Sequence, residues 1–213
     1  MGVLPKREIE RRLGLNVNER ESLVVTPRPG RESFDADSID LRLGSFFLLP
    51  RVPATAFYCP GSSGPEFHMR VHIPLGEYLV VPAHHTVLGA TLEFIKLPFD
   101  VSGQILTKSS IGRTFTIIET ASWVHPQYRG CLTLEISNGS NTPILLYPGR
   151  RTAQLILFEV DCADDRDAVI DSTYFGPVYP EAPKFKTPRD ELKEIGVREL
   201  RQPPEVSIRR TPA

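Results

Sequence analysis

Helical periodicity is scarce in this chain, and that limits its fold more than any other feature. Val, Ile, Leu, Thr and Phe gather instead in segments of strand length, each closed by Pro, Gly, Asn or a polar turn. The 20 prolines among 213 residues sharpen that punctuation, because proline interrupts both helices and central strands. "DSIDLRLGSFFLL" (37–49) reads as a strand pair, or one strand bent at Gly44. "EYLVVPAHHTVLGATLEFIKLP" (77–98) reads as two strands around a polar break, and "SGQILTKSSIG" (102–112) as a strand running into a small-residue turn. The segments 115–124, 131–137, 143–149 and 152–160 continue the series, with turns at "HPQYRG", "SNGSN" and "YPGR". Many short strands at such spacing predict a mostly β fold, a barrel or a jelly-roll-like double sheet.

Two short helices flank the strands. Residues 5–14 carry Pro5 at the start, Ile9 and Leu13 on one face, and Gly14 at the end. Near the other end, Thr187 and Asp190 form a capping-box pattern around Pro188, which predicts a helix to about Gly196. The pattern of strands stops near residue 160. One domain is therefore expected over 1–160, followed by a proline-rich arm and tail over 161–213.

The charge balance of 25 basic against 26 acidic side chains, a net −1, creates no field that draws the chain to nucleic acid or a membrane surface. No apolar run reaches membrane-spanning length, and "MGVLPKREIERRLG" lacks a signal peptide's apolar core, so the cytoplasm is the expected location. Cys59, Cys131 and Cys162 are isolated and odd in number, which predicts free thiols rather than a disulfide framework. His68, His72, His84 and His85 find no third and fourth ligand at zinc-binding spacing, so no metal centre is expected.

Three stretches carry possible chemistry. "KSSIGR" (108–113) sets two hydroxyls and a glycine between Lys108 and Arg113 at a strand-to-turn junction. Taken alone it is an ordinary polar turn or an anion cradle; it is not a Walker loop. "GCLTLEISN" (130–138) alternates like a half-buried strand, with Leu132, Leu134 and Ile136 on one face. Glu135 shares the other face with Thr133 and Ser137, and is either solvent-facing or a pocket carboxylate able to act as a general base. In "ETASWVHPQYRG" (119–130), His125 is made extended by Pro126 and is a turn residue, a proton shuttle or a sugar contact.

Together these pieces resemble the dCTP deaminase family, within the deaminase/dUTPase trimer superfamily. The resemblance rests on "SIDLRLG" (38–44), "ATLEFIKLPFDVSGQILTKSSIGR" (90–113), "TASW" (120–123), "YRGCLTLEISN" (128–138) and "PILLYPGRRTAQLILFE" (143–159). It implies a distorted, dUTPase-like β-barrel, a homotrimer with active sites between subunits, and hydrolysis of dCTP to dUTP and ammonia. By position, Glu135 is the residue implied to activate water and shuttle protons. Ser109 and Arg113 would hold that glutamate and its water, and the Ala121 carbonyl would help fix the water. Lys108 and Ser110 fall in the phosphate-contacting turn; backbone groups of Thr133 and Leu134 fall at the base. Ile111, Gly112, Thr120, His125, Gln154 and Tyr174 complete the residues expected to bind substrate. The family also implies no catalytic metal, with Mg²⁺ arriving on the substrate's phosphates. The chain lacks the H-x-E and P-C-x-x-C of zinc deaminases. Arg113 near Glu135 would lower its pKa, and burial would raise it.

The chain departs from the family pattern in places. His125 stands where the family has an aspartate that contacts the deoxyribose and, in dUTPases, positions water for phosphate cleavage. That argues against pyrophosphatase activity. The segment between Arg113 and Thr120 is about one residue short, with Ile118 or Glu119 in place of a histidine. Pro177 stands about where an arm glutamine belongs, with Lys184 and Lys186 as alternative phosphate partners. A nucleotide-binding regulator without turnover and a dUTPase-like pyrophosphatase are the competing expectations.

Overall fold

A computed structural model describes residues 2–51, 67–161, 176–184, 193, 195 and 196. It is mostly β, as expected. Twelve strands are seen among the described residues. One sheet runs β4–β3–β6–β10–β8, with β1 also on β6; a second runs β2–β12–β7–β9; β5 and β11 form a pair. Among the described residues the sheets remain open rather than closing into a continuous barrel.

The 37–49 segment is a strand pair, β2 (Ser38–Arg42) and β3 (Phe46–Pro50). Gly44 turns the chain between them, and its N–H donates to the Ala90 carbonyl at 2.7 Å. A Cβ there would stand 3.0 Å from that same oxygen, so a larger residue would have to push the two backbones slightly apart. The 77–98 segment likewise gives β5 (Leu79–Val81) and the long β6 (Thr86–Lys96). β7 (Val101–Thr107) runs into α2 (Ser109–Gly112). The 115–124 segment divides, because β8 (Thr116–Ile118) pairs with β10 while β9 (Trp123–Val124) pairs with β7. β10 (Arg129–Asn138), β11 (Ile144–Leu146) and β12 (Arg151–Glu159) complete the series. Two strands escape sequence reading. β1 (Val24–Thr26) is three residues long, and β4 (His68–His72) is a largely polar edge strand without the apolar alternation that marks a core-facing one.

α1 (Lys6–Leu13) follows Pro5, the residue just before the helix, and ends at Gly14. Ile9 is fully buried and Leu13 packs beside the core. Buried Arg12 fastens the helix to the body through two bonds to Asp100, of 2.8 and 2.7 Å. The core is one apolar cluster that includes Ile39, Leu41, Phe47, Ile95, Leu134, Leu155 and Leu157. The helix expected at 187–196 falls largely outside the described residues, as do Cys59, Cys162 and Tyr174. Cys131 is a buried free thiol, pushed up to about 11 by burial.

The ladder between β6 and β10 is irregular. Cys131 faces Phe94 but Thr133 faces Ala90, so Thr91–Glu93 bulge opposite Leu132. Thr91 repairs the gap: its hydroxyl accepts from the Leu132 N–H at 2.9 Å and donates to the Glu93 carbonyl at 2.8 Å. Among the described residues, no helix is long and apolar enough to cross a membrane.

Candidate active site

A cavity of about 600 Å³ opens against β10. Alternation along the strand sends Leu134 and Ile136 into the core and leaves Thr133 and Glu135 on the cavity side. β3 and β6 supply Leu48, Thr86 and Leu88. The segment before β10 supplies Thr120, Ala121, Trp123, His125 and Tyr128, and residues of 176–184 add Pro177, Glu181 and Pro183.

Thr120 fixes the backbone under the two cavity-facing side chains. Its hydroxyl donates to the Thr133 carbonyl at 3.3 Å and accepts from the Glu135 N–H at 3.2 Å. This single hydroxyl takes the place of a neighbouring strand where β8 has ended. Next to it the Glu119 N–H donates to the Glu135 carbonyl at 2.8 Å. The Ser137 hydroxyl lies 3.3 Å from the Glu119 carboxylate and 2.7 Å from the Thr86 hydroxyl.

Glu135 is an exposed residue of β10, yet its carboxyl is raised above its ordinary value, first by the partial loss of solvent against the cavity wall and then by the negative charge of Glu119. Arg113, expected to pull the other way, is exposed just after α2 and does not line the cavity. Burial also pushes the Tyr128 hydroxyl well up, so it stays protonated and donates to the Cys131 carbonyl at 2.9 Å.

The chain brings together Glu135, Thr120, Ala121, His125 and Thr133, with the Leu134 backbone between two of them. The 108–113 turn stands apart from that cavity. Ser109, Ser110 and Arg113 are exposed, Ile111 is buried under the turn, and Gly112 is half-buried. Lys108 forms an ion pair with buried Asp40, and its own N–H donates to the Thr152 carbonyl. Gln154 faces neither region; its amide donates to the Ser38 hydroxyl at 3.0 Å. Among the described residues no three His, Cys, Asp or Glu side chains converge as a metal site.

The arm contributes what local sequence signals did not reveal. The Gly176 N–H donates to the Arg129 carbonyl at 2.7 Å, and the Cys131 N–H donates to the Pro177 carbonyl at 2.6 Å. Gly130 sits at φ +146°, and a Cβ there would lie 2.5 Å from the Pro177 ring. Glycine therefore lets the proline lie flat on β10. Beyond it, Tyr179 meets Phe46 edge-on, with ring centres 4.6 Å apart, and lies under the Arg70 guanidinium. Pro177 was visible in the sequence only as a departure; Glu181 carried no local signal. Lys184, an expected phosphate partner, is paired with Glu181 at 2.8 Å, and Lys186 lies outside the described residues.

Comparisons with known proteins agree with this architecture. The model of the dCTP deaminase-like family matches residues 3–160. A protein from Dictyoglomus thermophilum named "dCTP deaminase, dUMP-forming" is 34% identical over 74% of this chain and 80% of its own. One of the same name from Corynebacterium diphtheriae is 37% identical over 62% of this chain and 73% of its own. Both names carry dUMP where the motifs had led us to expect dUTP. In fold, the chain is similar to a crystal structure of 2′-deoxycytidine 5′-triphosphate deaminase from Agrobacterium tumefaciens, with TM-score 0.57 and 24% identity over 73% of this chain and 48% of that one. By the extent of the family match and the identity of these relatives, the chain belongs to the dCTP deaminase-like family of enzymes.

Proposed function

We propose that this protein hydrolyses the 4-amino group of dCTP. The observation that carries the reading is Glu135: a carboxylate on the cavity wall, raised in pKa, and matching the position of the family's proton-shuttling glutamate. Deamination adds water oxygen to C4, places a proton on N3 and releases ammonia with another. A single carboxylate that takes a proton from water and hands it back meets both needs, and such a shuttle is worth about 10²–10⁴-fold in rate. A raised pKa suits this double role, because the group must both accept and return a proton near neutrality. Ala121 and Thr120 line the same cavity as Glu135, and in this reading the Ala121 carbonyl would help fix the attacking water. No resident metal is required by this scheme; Mg²⁺ enters as part of the substrate, on its phosphates.

Ser109 and Arg113 complete the site in this reading only if they come from a neighbouring subunit of a cytoplasmic homotrimer. Their exposure in a single chain supports that arrangement, as do Phe115 at 66% exposed and Ile117 at 41%, next to α2 in sequence. The same subunit would bring Ser110 and the backbone of Ile111 and Gly112 to the phosphates. Lys108 would act there only together with its Asp40 partner.

The names of the relatives favour dUMP and pyrophosphate as the final products alongside ammonia. A second reading, release of dUTP without phosphate cleavage, is favoured by His125 at the position of the family's aspartate. Purified protein incubated with dCTP should release ammonia, and chromatography of the nucleotide separates dUMP from dUTP. Tight binding of dCTP with no ammonia released would defeat the deaminase reading and leave a nucleotide-binding regulator.

A further inference from the structure

We propose that Glu181 is an additional substrate-binding residue: its carboxylate accepts a hydrogen bond from a donor group on the bound pyrimidine nucleoside. This rests on the deaminase reading above and deepens it. Glu181 is placed by the arm, and its N–H donates to the Thr133 hydroxyl at 3.2 Å. Thr133 is two residues from Glu135 on the same face of β10, a repeat of roughly 7 Å. Glu181 is therefore fixed beside the reacting carboxylate by a side chain of the same strand.

Its two oxygens have different surroundings. Oε1 is held by Lys184 at 2.8 Å, whereas Oε2 is buried with no hydrogen-bond partner among the described residues. Both Glu181 and Thr133 line the cavity. A buried carboxylate oxygen without a partner is costly, and the nearby Tyr128 hydroxyl is already committed to the Cys131 carbonyl. The wall thus carries a carboxylate with one oxygen uncommitted, on a side chain that is 24% exposed.

The chemistry of the group narrows what it can bind. A carboxylate acceptor matches a donor group on the nucleoside and not the acceptor oxygens of a phosphate. The part of the nucleotide under the arm is then the nucleoside, with the phosphates directed elsewhere. On a cytosine deoxynucleoside the donors are the sugar hydroxyl and the 4-amino group, and these two sources share the chemistry. The bond to Lys184 does not explain the residue, because a lysine side chain 47% exposed makes a weak anchor.

The test is steady-state kinetics of the full chain as wild type, Glu181→Gln, Glu181→Ala and Lys184→Met. Substrates are dCTP and its 2′,3′-dideoxy analogue, with dUTP as competing ligand. If the sugar hydroxyl is the donor, wild type prefers dCTP over the dideoxy analogue by about 10- to 100-fold in kcat/KM. That preference collapses in Glu181→Ala, with Glu181→Gln between. If the 4-amino group is the donor, the preference that collapses is dCTP over dUTP, read as KM against inhibition constant. Lys184→Met should keep both preferences. The proposal is overturned if both preferences survive in Glu181→Ala, or if Lys184→Met reproduces their loss, which would mean that the residue only docks the arm. Absence of turnover in wild type would instead bring down the deaminase reading, and this proposal with it.

Discussion

Glu93 and Glu135 are identical side chains on neighbouring strands of one sheet, and the molecule treats them in opposite ways. Glu93 sits in the β6 bulge with its side chain 0% exposed, and both of its oxygens are bound by Arg42: the guanidinium at 2.6 Å and the backbone N–H at 2.9 Å. Glu135, on β10, has its backbone braced by Thr120 and Glu119, while its carboxyl faces the cavity beside a second negative charge. One carboxylate has both oxygens bound by an arginine; the other is held in place by its backbone, with its carboxyl raised in pKa. Position along a strand is set by hydrogen bonds that leave the side chain free, so a sheet can hold a reactive group rigidly without neutralising it.

The largest expected effect separates the two in activity. Glu135→Gln should reduce dCTP turnover by about 10²–10⁴-fold, read as ammonia release. Its stability should behave differently. The folded-state pKa of Glu135 lies above its unfolded value. The stabilisation from its protonated form is therefore complete below the unfolded pKa and lost as pH rises through the folded one. At neutral pH the variant should melt at the same temperature as wild type or higher, and the gain should vanish in acid. A fall in melting temperature at neutral pH would erase the contrast with Glu93.

Glu93→Gln should cost about 3 kcal/mol in chemical denaturation, because it leaves the Arg42 guanidinium without its charged partner. A variant as stable as wild type would mean that this buried pair is energetically idle. The smallest effect is on titration. Glu119→Gln removes the like charge beside Glu135 and lowers its pKa, so the acid limb of kcat/KM should move to lower pH. No shift would leave burial as the whole cause, and a shift to higher pH would overturn the like-charge account of Glu119.

Much of this design was legible in the residues. The period-2 pattern of 130–138 placed Glu135 opposite the core side chains, and Gly44 marked the bend between two strands, because both are local consequences of backbone geometry. The order of motifs led to the family. What local patterning could not supply were contacts between distant parts of the chain. Nothing near Glu135 announces that Thr120 will brace it, or that Glu93 will find Arg42 fifty-one residues away. Proline-rich residues 176–184 have no periodicity to read, yet they return to β10 through Gly130. Arg113 shows the converse: the family resemblance implied a meeting with Glu135 in a site between subunits, and within a single chain Arg113 does not line the Glu135 cavity.

Gly130 and Pro177 carry a consequence for how such an enzyme can change. Part of the cavity wall is laid down by a segment that supplies none of the core's apolar side chains among the described residues. Under the proposed function, substitutions there would redraw which nucleotide is admitted while the sheets and Glu135 stay as they are. Selectivity and scaffold can thus evolve at separate addresses in the same polypeptide.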